Sequence, residues 1–230
     1  MPVLEVIAAS LDDALEAEDG GAGRLEVVAA LGRGGLTPSL AVLDTILKRV
    51  RIPVRAMVRE SESHVVSDGR VRAALLEAAR AMAERPVDGI VFGALTADGR
   101  IDEPLLDEVA EIAGTRVTFH RAIEEARDLD AALAELGRRP FVDRVLYNGG
   151  QGTWTGRASR LTRLGSLIGP SVRFIVGGGV THEALPVLAS LTTPVDVHVG
   201  RLVRQPATET GRVSAKLVAA VAAQLRAPSA

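Results

Sequence analysis

Short runs of valine, isoleucine and leucine recur along the chain, each followed by a glycine or polar turn and then by a stretch in which apolar residues return every three to four positions. Eight such units can be read, with candidate strands at residues 4–8, 24–28, 54–58, 89–93, 117–120, 144–147, 174–176 and 195–199. Their starts lie about 20 to 35 residues apart, the length of one βα unit. Helix starts are marked by Ser10 followed by Asp13, by Thr37 with Pro38 at the first helical position, and by Ser67-Asp68, Asp102, Asp128 and Thr181. Gly114 and Gly137 mark helix ends. Strand and helix alternating without a long linker predict a parallel sheet, and eight repeats predict an α/β, single-domain (β/α)8 TIM barrel over residues 1–230. The competing architecture is an open doubly wound sheet, but no Gly-x-Gly-x-x-Gly follows the first strand, where a dinucleotide fold places its phosphate loop.

Composition then excludes several functions. With 47% hydrophobic residues the chain can bury one sizeable core, yet no apolar run approaches the ~20 residues of a membrane-spanning helix. The opening Met1-Pro2-Val3-Leu4-Glu5 carries an acid where a signal peptide would be basic and then apolar, so a cytoplasmic location is expected. A net charge of -2 supplies no basic field, and 3% aromatic residues supply no stacking platform, which argues against nucleic acid. Cysteine is absent, removing disulfides, thiolate nucleophiles and cysteine-held metals. The only lysines, Lys48 and Lys216, fall in helical patterns, so no strand delivers a Schiff-base amine to a barrel mouth.

In such a barrel the chemistry gathers at the carboxyl ends of the strands. Glu5 and Glu26 stand inside otherwise apolar runs, where a carboxylate needs a partner, a metal or a proton. An inward arginine such as Arg59 is one expected partner; alternatively Arg59 offers its fork to a ligand carboxylate or phosphate. In Thr118-Phe119-His120-Arg121 the period of two puts Thr118 and His120 on one face, making His120 the first candidate for acid/base or ligand work, with Arg121 beside it. The sixth strand leads to Tyr147-Asn148-Gly149-Gly150, the seventh to Gly177-Gly178-Gly179, and the eighth to His198-Val199-Gly200-Arg201. Glycine turns at Gly178, Gly179 and Gly200, opening onto helix amino termini, form the usual phosphate cradle of this fold, with Asn148 and Arg201 as further donors. Gly34-Gly35-Leu36-Thr37-Pro38-Ser39 reads as an ordinary helix start in preference to a substrate loop, and Asp98-Gly99 as a turn.

Several of these strings occur together and in the same order in one known family. Glu5-Val6-Ile7-Ala8-Ala9-Ser10, Arg24-Leu25-Glu26, Gly34-Gly35-Leu36-Thr37-Pro38-Ser39-Leu40, the run 88–99, Val117-Thr118-Phe119-His120-Arg121-Ala122, Gly177-Gly178-Gly179-Val180 and Val197-His198 resemble the CutC family of copper homeostasis proteins from Glu5 to about Gly200. The resemblance implies a TIM-type barrel, cytoplasmic copper binding, and a rim formed by Glu5, Glu26, Arg59, Thr118, His120, Arg121 and His198. The departures are specific. Val6 and Val27 stand where many members carry cysteine, and Arg59-Glu60-Ser61-Glu62-Ser63-His64 replaces an Arg-Pro-Arg-Gly-Gly-Asp stretch. The Thr-Ser-Gly-Gly and His-Ala-Ser-Ala strings are also replaced, by Tyr147-Asn148-Gly149-Gly150 and His198-Val199-Gly200-Arg201. Soft Cu(I) prefers sulfur donors, of which only Met1, Met57 and Met82 are available.

Three readings follow. One is copper binding through His120, His198 and a carboxylate, a donor set better suited to Cu(II) or Zn(II) than to Cu(I). Another is an isomerase, epimerase or lyase acting on a small phosphorylated or carboxylated metabolite, with His120 and Glu5 or Glu26 as the acid/base pair. The third is a non-catalytic barrel acting through partners, with a homodimer as the base-rate oligomer.

Overall fold

The computed structural model describes residues 2–226. Eight parallel strands, β1 (Leu4–Ala8), β2 (Arg24–Val27), β3 (Val54–Met57), β4 (Gly89–Phe92), β5 (Arg116–Phe119), β6 (Val142–Tyr147), β7 (Arg173–Val176) and β8 (Asp196–Val199), close in sequence order into a barrel. β8 pairs with β1 through Glu5 opposite His198. The helices α1 (Leu11–Asp19), α2 (Leu40–Leu47), α3 (Gly69–Ala83), α4 (Glu103–Ala113), α5 (Leu129–Gly137), α6 (Trp154–Ile168), α7 (Ala184–Ala189) and α8 (Ala215–Arg226) alternate with the strands. The alternation expected of a (β/α)8 barrel is therefore present, with strand bounds within two residues of those the hydrophobic runs suggest.

Local chemistry sets the helix starts. The Ser10 hydroxyl accepts from the Asp13 amide while Asp13 reaches back to the Ala9 amide, two orphan donors satisfied reciprocally. Asp68, Asp102 and Asp128 cap α3, α4 and α5 in the same manner. Two expected starts move. Ser39, not Thr37, caps α2, because the Thr37 hydroxyl is bonded to the backbone of Arg59 and ties Gly34 and Gly35 to the end of β3. That segment is consequently a wall of the mouth and not merely a helix start. At α7 the helix begins two residues later than Thr181 would cap it, at Ala184, and runs for only 6 residues.

The barrel interior departs from the layers of branched aliphatic side chains that usually fill this fold. Arg55, fully buried, donates to both carboxylate oxygens of Asp143 at 2.6 and 2.7 Å, to Asp88 at 3.0 Å and to the Thr118 hydroxyl at 2.8 Å. Asp196, fully buried at the start of β8, accepts from Arg24, Arg144, Arg173 and the Val3 amide. Thr118, expected at the rim, is thus an acceptor in this interior network. A charge can be buried here only because each guanidinium meets carboxylates in bonding geometry.

After β8 the chain makes a short antiparallel hairpin, β9 (Arg204–Gln205) with β10 (Arg212–Val213). Buried Arg204 pins it by donating to Asp13, to the Ile7 carbonyl and to the Gly211 carbonyl. The hairpin loop is thereby held over the mouth, where Ala207 and Glu209 form part of the wall.

Replacing Asp196 leaves Arg24 buried without its second partner, so Asp196→Ala is expected to lower unfolding free energy by about 3–5 kcal/mol in denaturant titration. Arg163→Ala, which breaks an exposed pair with Asp130, is expected to change it by less than about 1 kcal/mol.

Candidate functional site

At the carboxyl ends of the strands a cavity of about 550 Å³ opens. Its floor is set by period two. Arg24 and Glu26 share the inward face of β2, Asp196 and His198 that of β8, and Thr118 and His120 that of β5, so each strand carries a structural residue below and a chemical one above. Arg24 Nε donates to Glu5 Oε2 at 2.5 Å, and His198 Nδ1 lies 2.8 Å from Glu5 Oε1. Both oxygens of Glu5 are therefore engaged. Burial pushes this carboxyl up, but Arg24 and His198 outweigh it and hold Glu5 well below the usual carboxylate range. The expected partner Arg59 does not reach either glutamate. It donates to the carbonyls of Gly34, Gly35 and Glu62, because its strand end faces the glycine loop.

Glu26 receives no such partner. Only 3% exposed, it lies 3.7 Å from His198 Nε2 through Oε2, while Oε1 is buried without any hydrogen bond. Burial raises its pKa from the ordinary 4.5 to about 7, with the charge of Glu5 adding and that of His198 and Arg24 opposing. Burial alone would lower the pKa of His198, but the carboxylates of Glu26 and Glu5 outweigh it and leave it raised.

His120 has the opposite character. Burial, then the neighbouring His64 and Arg59, hold its pKa well below the ordinary value and keep it neutral. Its Nδ1 accepts from the Ala122 amide at 3.2 Å, which assigns the ring proton to Nε2, a buried atom with no partner. Gly93 makes room for the ring, since a Cβ there would stand 2.6 Å from Nδ1. Gly177 does the same for His198, at 2.9 Å from Cδ2.

The remaining expected residues divide. Arg59, Arg121, Gly178, Gly179, Gly200 and Arg201 line the cavity with Glu26, His120 and His198. Asn148 does not line it, being drawn aside by Glu124, which accepts its amide and side chain and also pairs with Arg121. The phosphate cradle is also altered. Gly178 and Gly179 adopt φ of +76° and +98°, but α7 starts only at Ala184 and β8 is followed by a 3-10 turn (Arg201–Val203), so no long helix dipole stands behind either turn. Among the described residues no cluster brings His120 and His198, expected to share a metal, together with a carboxylate. The cluster whose ligand atoms lie within 4.8 Å of one another consists of Glu5, Glu26 and His198.

Sequence reasoning passed over Arg24, Arg55, Gly93 and His64. The period of two that places Glu26 inward also places Arg24 there, and that signal was available. His64 was not legible: it arrives from the loop after β3, its ring centroid 5.0 Å from that of His120, with Nδ1 2.9 Å from Glu125 Oε1.

The model of the CutC family matches residues 2–202. A CutC family protein of Treponema denticola is 33% identical over 208 residues, 90% of this chain and 84% of its own length. A copper homeostasis protein cutC homolog of Mus musculus is 36% identical over 184 residues, 80% of this chain and 67% of its own. Among solved structures, a copper homeostasis protein CutC from Streptococcus agalactiae aligns with a TM-score of 0.77 at 23% identity, covering 87% of this chain and 98% of that one. A phosphoribosyl anthranilate isomerase from Thermococcus kodakaraensis aligns with a TM-score of 0.62 at 18% identity, covering 99% and 100%. These two structural likenesses are of fold.

The unpaired carboxyl generates a prediction. Folded Glu26 keeps its proton up to about pH 7 whereas the unfolded chain releases it near 4.5, so between these values the unfolded state binds fewer protons and stability falls as pH rises. Thermal melts of Glu26→Gln are expected to match the parent at pH 5 and to exceed it at pH 8 by on the order of 1–3 kcal/mol. Equal differences at both pH values would contradict the assignment.

Proposed function

The chain belongs to the CutC family, and we propose that it serves the copper-homeostasis role for which its relatives are named through a ligand site at the barrel mouth that takes a small anionic metabolite. The observation that carries this reading is the single cavity in which Glu26, His120 and His198 meet Arg59, Arg121 and Arg201. Such a wall pairs cations and neutral donors suited to a carboxylate or phosphate with buried groups able to move a proton.

Cuprous ion fits these residues poorly. The chain has no cysteine, and among the described residues Met57 is the one sulfur-bearing side chain on the cavity wall. Of the Glu5, Glu26 and His198 cluster, both Glu5 oxygens are already taken by Arg24 and His198. Two hard or borderline donors remain, Glu26 and His198 Nε2, 3.7 Å apart.

Calorimetric titration with Cu(I), Cu(II) and inorganic phosphate, alongside thermal shift, tests the proposal. Phosphate is expected to raise the melting temperature, with a free-energy gain approaching about 2.7 kcal/mol at a hundred times its dissociation constant. Arg59→Ala should remove most of that gain. Cu(I) binding tighter than micromolar with no response to phosphate would overturn the reading.

A further inference from the structure

Among the described residues, four polar side-chain atoms on the mouth are buried without a hydrogen-bond partner: Glu26 Oε1, His120 Nε2, Arg59 Nε and His64 Nδ1, the last lying 2.9 Å from Glu125 outside bonding geometry. Deeper in the barrel Arg24, Arg55 and Asp196 are each bonded to two or more groups, and the remaining unpartnered atom, Arg204 Nε, belongs to the guanidinium that pins the β9–β10 hairpin over the mouth. An orphaned buried polar atom is costly, so orphans gathered around one cavity mark where a ligand completes the bonding. The first three differ in kind: an acid/base oxygen, a neutral N–H donor and a fixed cation.

Resting on the anion-binding reading above, we propose that the mouth catalyses reversible enolisation of a small carbonyl compound bearing a carboxylate or phosphate, with Glu26 taking the carbon-bound proton and His120 Nε2–H holding the carbonyl oxygen. In the forward step Glu26 Oε1 takes a proton from the carbon beside the carbonyl. The C–H electron pair becomes the new carbon–carbon double bond, and the carbonyl π pair moves onto oxygen, which accepts from His120. Return from Glu26 of that proton, or of one exchanged with solvent, to the same face of the carbon regenerates the carbonyl and the substrate. Charge and atoms balance without any oxidant or co-reactant.

The surroundings serve these roles. A neutral imidazole donates to a developing oxyanion without first surrendering a charge, and the Ala122 amide fixes the tautomer that presents Nε2–H. Gly93 lets the ring sit back against β4, on the wall of the cavity that His120 lines. Glu5 is a positioning residue: held by Arg24, it orients His198, whose Nε2 stands beside Glu26. The substrate anion takes Arg59 Nε together with the amides of Gly178 and Gly179, which donate to no acceptor among the described residues.

The full chain in D2O, given dihydroxyacetone phosphate or pyruvate as the phosphorylated and carboxylated probes, provides the test. Proton NMR is expected to show deuterium entering the carbon beside the carbonyl of one of them at least tenfold faster than in buffer. Glu26→Gln should slow that exchange by about 10²- to 10⁴-fold and His120→Asn by about 10²- to 10³-fold. Both variants should retain the parent's melting response to inorganic phosphate, which establishes that they fold. No enzyme-dependent exchange with either probe, or exchange that survives Glu26→Gln, overturns the inference. If phosphate still stabilises the parent in that case, anion binding stands without enolisation; if it does not, both readings fall.

Discussion

The arrangement of this mouth depends on the bond between Arg24 and Glu5. At 2.5 Å, with both side chains almost wholly excluded from solvent, the pair carries a strong charge-assisted hydrogen bond at a place where either group alone would be untenable. Arg24 is itself held from below by Asp196, which also gathers Arg144 and Arg173, so the bond is anchored at the amino-terminal rim of the barrel and presented at the carboxyl-terminal one. From Glu5 the constraint passes to His198 and from His198 to the edge of Glu26. A rigid ladder of charges thus connects the structural end of the fold to its chemical end.

That ladder also decides which carboxylate is available. Glu5 and Asp196 are saturated with donors, and Asp143 is saturated by Arg55 and Arg144. Glu26 is the inward acid left without a guanidinium, and desolvation then keeps its proton toward neutral pH. His120, on the opposite arc of strands, meets cations where Glu26 meets a carboxylate, and its pKa moves down where that of Glu26 moves up. Two titratable groups pushed apart by their environments around one cavity form the physical basis of acid/base division of labour.

Much of this was legible in the chain. Strand count, helix caps at Ser10, Asp68, Asp102 and Asp128, and the inward faces of Glu5, Glu26, His120 and His198 all follow from local periodicity and capping chemistry, which depend on neighbours in sequence. What local pattern does not carry is which cation meets which anion. Arg59 and Arg24 both lie on inward faces, and only barrel closure, which sets β8 beside β1 and β1 beside β2, decides that Arg24 reaches Glu5 while Arg59 turns to the Gly34-Gly35 carbonyls. For the same reason Thr118 proved to belong to the interior and Asn148 to the Arg121–Glu124 network, and His64 entered from a loop without periodic signal. Family resemblance located the rim, but the ionic partners had to be read from the closed sheet.

The central claim is that Glu26 is the uncommitted acid of this mouth. Carbon-13 NMR of the protein labelled at glutamate carboxyls, followed across pH, measures this directly. One resonance, absent from Glu26→Gln, is expected to titrate at about pH 7, far above the ordinary 4.5. A spectrum in which the resonance lost in Glu26→Gln titrates with the exposed glutamates would contradict the account.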